Sequence, residues 1–323
     1  MHQISGRWRL GLALALLTAA CWGVLPIALK LLLEGMDAYT VTWYRFATSV
    51  AVLGVFLAAT RNLPSVRTLG RMGWTLMLVA LVGLVGNYVL YLLALRHVSP
   101  SVNQTVIQLA PIFLLFGGLF IYKERFTVWQ RAGFVTLVTG LMLFFNRRLP
   151  ELADVSAGLG LGVLLLLIAA LVWAGYALAQ KSLLKTLSSQ QILWILYIGA
   201  VALLLPVSEL GQIASLSPLQ WALLAFSCAN TLVAYGAFAE AMEHWEVSRV
   251  SAVLSISPLF TLVGMWLVNW LAPGYLQPEG LNLLSIGGAL LVVTGSALTA
   301  LGGQKTGSTV PGLRYLRYFP RLK

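Results

Sequence analysis

The chain has 323 residues, 59% of them hydrophobic and only 10% charged, and its apolar residues come in blocks of about 20, the length that crosses a bilayer; this excludes an ordinary soluble domain. The net charge of +11 would suit a nucleic-acid partner, but the basic residues are sorted by loop as a membrane topology signal, which leaves no nucleic acid to invoke. The two cysteines, Cys21 and Cys228, lie apart within apolar runs and read as small core residues, so no metal site and no cofactor is expected.

Taken in chain order, the first apolar window, 10–31, contains Trp22-Gly23 and Pro26. Its Leu17-Thr18-Ala19-Ala20-Cys21 resembles a lipoprotein cleavage site, yet Thr18 stands where such sites want Leu and the apolar run continues to Leu33, so it reads as a retained span. The second window, 38–59, carries Arg45 seven residues from its start. Thr42, Arg45 and Ser49 share one helical face with Thr48 beside it, while Trp43, Phe46, Val50 and Leu53 fill the others. Further windows follow at 73–95, 101–121, 127–146, 157–180, 190–208, 218–242, 249–271 and 281–301, ten in all, with the third and fourth separated only by Arg96-His97-Val98-Ser99-Pro100. With the N-terminus inside, Arg7, Arg9, Arg61, Arg67, Arg71, Lys123, Arg125, Arg131, Lys181, Lys185, Arg249 and the basic tail fall on the cytoplasmic side; only Lys30, Arg96, Arg147 and Arg148 fall outside. Both termini are therefore expected in the cytoplasm, and the partner of the protein as a whole is the lipid bilayer. The segment 302–323, with Arg314, Tyr315, Arg317 and Tyr318, reads as a flexible basic tail suited to anionic lipid.

The chain repeats itself. NYVLYLLALRHVSPSVNQTVIQLAPIF from Asn87 and AYGAFAEAMEHWEVSRVSAVLSISPLF from Ala234 align at an offset of 147, pairing Tyr88 with Tyr235, Tyr91 with Phe238, His97 with His244, Pro111 with Pro258 and Phe113 with Phe260. Upstream, Trp22 aligns with Trp173 at an offset of 151; downstream, LVTGLML matches VVTGSAL. Residues 1–148 and 149–301 are read as two five-helix repeats, and an odd number of spans per repeat forces the second copy into the membrane upside down. The predicted architecture is an all-α membrane protein of ten helices with a midplane cavity between the halves and alternating access to it.

These residues resemble the EamA branch of the drug/metabolite transporter superfamily, through Trp22-Gly23, Tyr44-Arg45-Phe46, the Pro111 helix, the Lys123-Glu124-Arg125 loop with Gln130 and Gly133, and the weaker second copy. The resemblance implies ten helices in two inverted repeats, a cavity lined by the first four helices of each half, and a fifth and tenth helix set apart, often at a homodimer contact. It also implies export of amino acids or related small metabolites through the cytoplasmic membrane. The second half has Trp270-Leu271-Ala272-Pro273 where the Glu124 loop should recur, which puts a shared role for that glutamate in doubt.

For the site, Arg45 reads either as a cavity-facing cation for a carboxylate or as a structural residue bonded to carbonyls or snorkelling toward Glu34 or Asp37. Gln104 and Gln108 precede Pro111 as Ser251 and Ser255 precede Pro258, giving two related polar faces, and the prolines supply bend points. These side chains either bind substrate or bond neighbouring helices. Trp22, Trp173, Tyr88, Tyr91, Tyr176 and Tyr235 are candidate aromatic walls, and Asn87 and Asn230 either line the cavity or bond a backbone. Glu240, near the inner end of its helix, is the one acidic candidate for proton coupling, leaving facilitated movement and antiport both open. An enzyme is not expected: the histidines sit at ends, no Gly-x-Ser-x-Gly occurs, no aspartate lies within a span, and GLGLG at Gly158–Gly162 opens a membrane helix rather than binding phosphate. A lipid or amphiphile flippase and a non-transporting scaffold remain as alternatives.

Overall fold

The structure, a computed structural model, describes residues 7–65, 69–122, 127–147, 149, 158–245, 247–276 and 281–302. The Lys123-Glu124-Arg125 loop and the tail beyond 302 lie outside the described residues. The described chain is built from α1 (Trp8–Leu32), α2 (Ala38–Ala59), α3 (Arg71–Leu95), α4 (Pro100–Val106), α5 (Ala110–Tyr122), α6 (Val128–Phe144), α7 (Gly158–Leu183), α8 (Ser189–Leu204), α9 (Pro218–His244), α10 (Val247–Leu254), α11 (Ser257–Leu271) and α12 (Leu283–Leu301). Among the described residues, 8 helical segments are long and apolar enough to cross a membrane, and α6 is a shorter apolar helix.

Local sequence sets the ends. Asp37 caps α2 by accepting from the Tyr39 and Thr40 amides, and its counterpart at an offset of 151, Ser188, caps α8 in a reciprocal box with Gln191. Thr127 with Gln130 and Ser217 with Gln220 form the same box at α6 and α9. The fourth and ninth windows differ from the continuous helices expected. A 3-10 turn over Ile107–Leu109 separates α4 from α5, and a turn at Ser255-Ile256 separates α10 from α11. Each break falls just before its proline, because Pro111 and Pro258 lack the amide hydrogen that would have bonded the preceding turn.

Several helix contacts recur when the two halves are exchanged. α3 packs on α7 as α9 packs on α1, and α5 lies on α7 as α11 lies on α1. A Cβ on Gly117 would overlap Leu178 Cδ1, and one on Gly264 would lie 2.6 Å from Ile27 Cδ1; these are the same contact at offsets of 147 and 151. Corresponding helices α2 and α8 run antiparallel: Trp43 Nε1 donates to the Val201 carbonyl and Trp194 Nε1 to that of Val50, each at 3.1 Å, again one bond seen twice. α6 and α12 also cross antiparallel, Gly133 against Gly295 and Gly140 against Gly288. A Cβ at any of the four would run into the facing backbone, and one on Gly133 would also lie 2.5 Å from the Thr299 hydroxyl. The fifth and tenth windows thus turn their small-residue faces on each other within one chain.

Candidate functional site

Two residues that correspond under a twofold exchange and also touch must lie on its axis. Phe46 stacks on its counterpart Tyr197, ring centroids 5.3 Å apart and planes 25° from parallel. Gln108 Nε2 donates to the carbonyl of its counterpart Ser255 at 3.5 Å, and the Tyr88 and Tyr235 side chains meet. The axis therefore runs through an aromatic layer drawn from α2, α3, α8 and α9, and on to the breaks in the two kinked helices.

Arg45 sits against this layer and is only 3% exposed. Its guanidinium carbon lies 4.7 Å from the Tyr88 ring centroid, and Nε donates to Thr231 Oγ1 at 3.1 Å. Thr231 can accept because its own hydrogen goes to the Ser227 carbonyl. The arginine does not snorkel to Asp37, whose carboxylate accepts from the Tyr39 and Thr40 amides and the Thr40 hydroxyl. Among the described residues no carboxylate pairs with Arg45. A cation held over an aromatic face, with a single neutral hydrogen-bond partner, retains the capacity to meet an anion.

The other candidates divide into two groups. Around the axis, Trp22 packs edge-on to Tyr235 at 5.4 Å, the Tyr91 hydroxyl donates to Gln104 Oε1 at 3.0 Å, and Gln108 Oε1 accepts from Ser296 at 3.4 Å. Trp173 is half-buried and Tyr176 buried in the cluster that contains Tyr88. Ser255 donates its hydroxyl hydrogen to the Ser251 carbonyl, and Ser251 is half-buried. Away from the axis, Asn87 Nδ2 donates to Ala169 O at 3.0 Å and Asn230 Nδ2 to Cys21 O at 2.8 Å, both across helix–helix seams. Glu240 is exposed near the end of α9 and bonds His244 at 3.0 Å.

Corresponding apolar residues gather where helices end and begin. Leu32, Met36, Val41, Leu216 and Leu224 share one cluster; their counterparts Leu183, Leu187, Ile192, Leu69 and Met77 share the cluster that also contains Phe46, Tyr88, Tyr176 and Tyr197.

Sequence reasoning missed Thr231, Phe46 and Tyr197. Thr231 had a signal, since Ser227, Thr231 and Tyr235 recur every four residues on one face of α9. Phe46 and Tyr197 are mates at the same offset that pairs Trp22 with Trp173.

The sequence model of the EamA-like transporter family matches the chain twice, over residues 9–146 and 160–301. The chain is 41% identical over 303 residues to the uncharacterized inner membrane transporter YhbE of Escherichia coli K12, covering 94% of each protein. It is 38% identical to an uncharacterized transporter of Haemophilus influenzae, covering 91% of this chain and 95% of that one. A solved crystal structure superposes with a TM-score of 0.61 at 18% identity, covering 93% of this chain and 98% of that chain, a likeness of fold.

Proposed function

The chain belongs to the EamA-like transporter family and is a multi-pass membrane transporter rather than an enzyme, and from that premise we propose that it moves a small carboxylate-bearing metabolite, such as an amino acid or related compound, across the inner membrane by alternating access about the axis layer. The observation that carries the substrate reading is Arg45, a cation buried beside the axis with no carboxylate partner among the described residues. At that depth an arginine costs about 2.5–3.5 kcal/mol on insertion scales, and an anionic substrate would offset that cost.

In this reading residues 1–148 and 149–301 are inverted five-helix repeats with both termini in the cytoplasm. The antiparallel pairing of α2 with α8 and of α6 with α12 supports it. Pro111 and Pro258 act as hinges, supported by helix breaks at both. Gln104, Gln108, Ser251 and Ser255 bind the polar part of the substrate, and Trp22, Trp173, Tyr88, Tyr91, Tyr176 and Tyr235 form the walls. Asn87 and Asn230 join the lining only when their seams open. Export is the direction the family resemblance implies, and a homodimer would use the outward faces of α6 and α12.

The test is thermal stability of purified protein, wild type and Arg45→Gln, against amino acids, organic acids, nucleosides and cationic drugs. A ligand of the folded state raises stability with its concentration relative to Kd. Stabilisation of the wild type by an anion or zwitterion, absent in a folded Arg45→Gln, is the expected result. An unchanged ligand response in the variant would make the arginine structural.

A further inference from the structure

Because each site residue has a counterpart across the axis, the two sides of the layer can be compared position by position, and they differ in polarity. Arg45 corresponds to Leu196, Thr42 to Leu193, Thr105 to Ala252 and Tyr91 to Phe238; Gln104 has only the smaller Ser251 opposite it. A helical side chain leans toward the N-terminus of its helix, so Arg45, Gln104 and Thr105 project toward the starts of α2 and α4. That side is outer in the proposed topology. On the other side Leu196, 1% exposed, packs in the apolar cluster of Tyr88, Tyr176 and Tyr197.

A second observation points to what the polar side accepts. Most buried Ser and Thr hydroxyls in these helices are bonded back to a carbonyl three or four residues earlier, as at Thr18, Thr42, Ser49, Ser227, Thr231, Ser255 and Ser257. Ser101 and Thr105, both 0% exposed, are not; neither hydroxyl has a partner. They are one turn apart and share a stripe of α4 with Gln104. Tyr91, which donates to Gln104, lies one turn of α3 from the Tyr88 ring that faces Arg45, which links the stripe to the helix that holds the cation. The amide oxygens of Asn103 and Asn230 are buried and unpartnered as well, but the guanidinium gives the layer a net positive charge, and a carboxylate suits both that charge and the idle hydroxyl donors.

We infer that the site takes a net-anionic small molecule with an apolar body, a monocarboxylate carrying a hydrocarbon or aromatic group, and holds it with the anionic end toward the outer side. This rests on the transport reading above and narrows its carboxylate-bearing class to members without an ammonium, the related compounds rather than the amino acids themselves. A zwitterion is the poorer fit, because its ammonium finds no carboxylate at this layer among the described residues, only the neutral unpartnered amide oxygens of Asn103 and Asn230. A dianion is poorer too, because its second charge would face Leu193 and Leu196.

Counterflow in proteoliposomes tests this, with labelled phenylacetate, phenylalanine and phenethylamine each used as probe and with hexanoate and succinate as competitors. The expected result is exchange of phenylacetate, competition by hexanoate, and at least tenfold weaker effects of phenylalanine, phenethylamine and succinate. Arg45→Gln loses phenylacetate exchange at least tenfold, whereas Arg45→Lys keeps the preference for anions, which separates charge from folding. Leu196→Gln raises competition by succinate severalfold. Exchange of phenylalanine or phenethylamine equal to that of phenylacetate, with Arg45→Gln unaffected, overturns the anion assignment and leaves the transport reading standing. Absence of counterflow for all three probes overturns both.

Discussion

At the scale of single residues the cost of a buried cation is met in part by two neutral neighbours, the Tyr88 ring and the Thr231 hydroxyl. Hydrogen bonds to charged groups contribute about 1.5–3 kcal/mol, so Thr231→Val is expected to lower unfolding stability by roughly that amount while Thr231→Ser retains most of it, as read by denaturation in detergent. The twin indole bonds make a sharper prediction. Trp43→Phe and Trp194→Phe each remove one neutral hydrogen bond, so each should cost about 1 kcal/mol and the two losses should be equal. A large difference between them would mean the halves are not equivalent at α2 and α8. Arg45, Tyr88, Tyr235, Gln108 and Ser255 could be singled out as candidates in the sequence because polar or repeated residues stand out in apolar runs. Thr231 was not singled out because its role depends on a contact with a residue 186 positions away, which no local pattern encodes.

Among the elements, the two prolines could be read directly, since a missing amide acts within a few residues. The division of the fourth and ninth windows into paired helices could not, because apolar content does not distinguish a straight span from a broken one. If the breaks are the hinges, Pro111→Ala restores a backbone bond and should raise thermal stability while reducing transport; a variant with full transport would remove the hinge role. The crossing of α6 and α12 is decided by four glycines whose spacing was visible but whose mutual contact was not. Gly140→Val or Gly295→Val drives a side chain into facing backbone and is expected to abolish folded protein, measured as monodisperse yield in detergent. Retention of a stable protein would show that the crossing can open.

For the whole molecule, the double match to the family model agrees with the duplication seen in the internal alignment, and the antiparallel contacts of corresponding helices support the inverted arrangement proposed above. Where the axis runs was not legible, since it is defined by mates that touch: Phe46 on Tyr197 and Gln108 on Ser255. In the proposed mechanism the apolar residues around Met36 and Leu216 and their counterparts around Leu187 and Leu69 act as one seal used twice, and alternating access requires that closing one favours opening the other. The most direct test uses protein lacking Cys21 and Cys228, with Met36→Cys and Leu216→Cys joined by a short bifunctional maleimide and with a photocaged cysteine at Leu187 uncaged afterwards. Met36 and Leu216 belong to one cluster and Leu187 to the other. Labelling of the uncaged thiol by an impermeant maleimide from the cytoplasmic face should rise several-fold over the uncross-linked control. Labelling that stays the same or falls would contradict the coupling of the two seals on which alternating access depends.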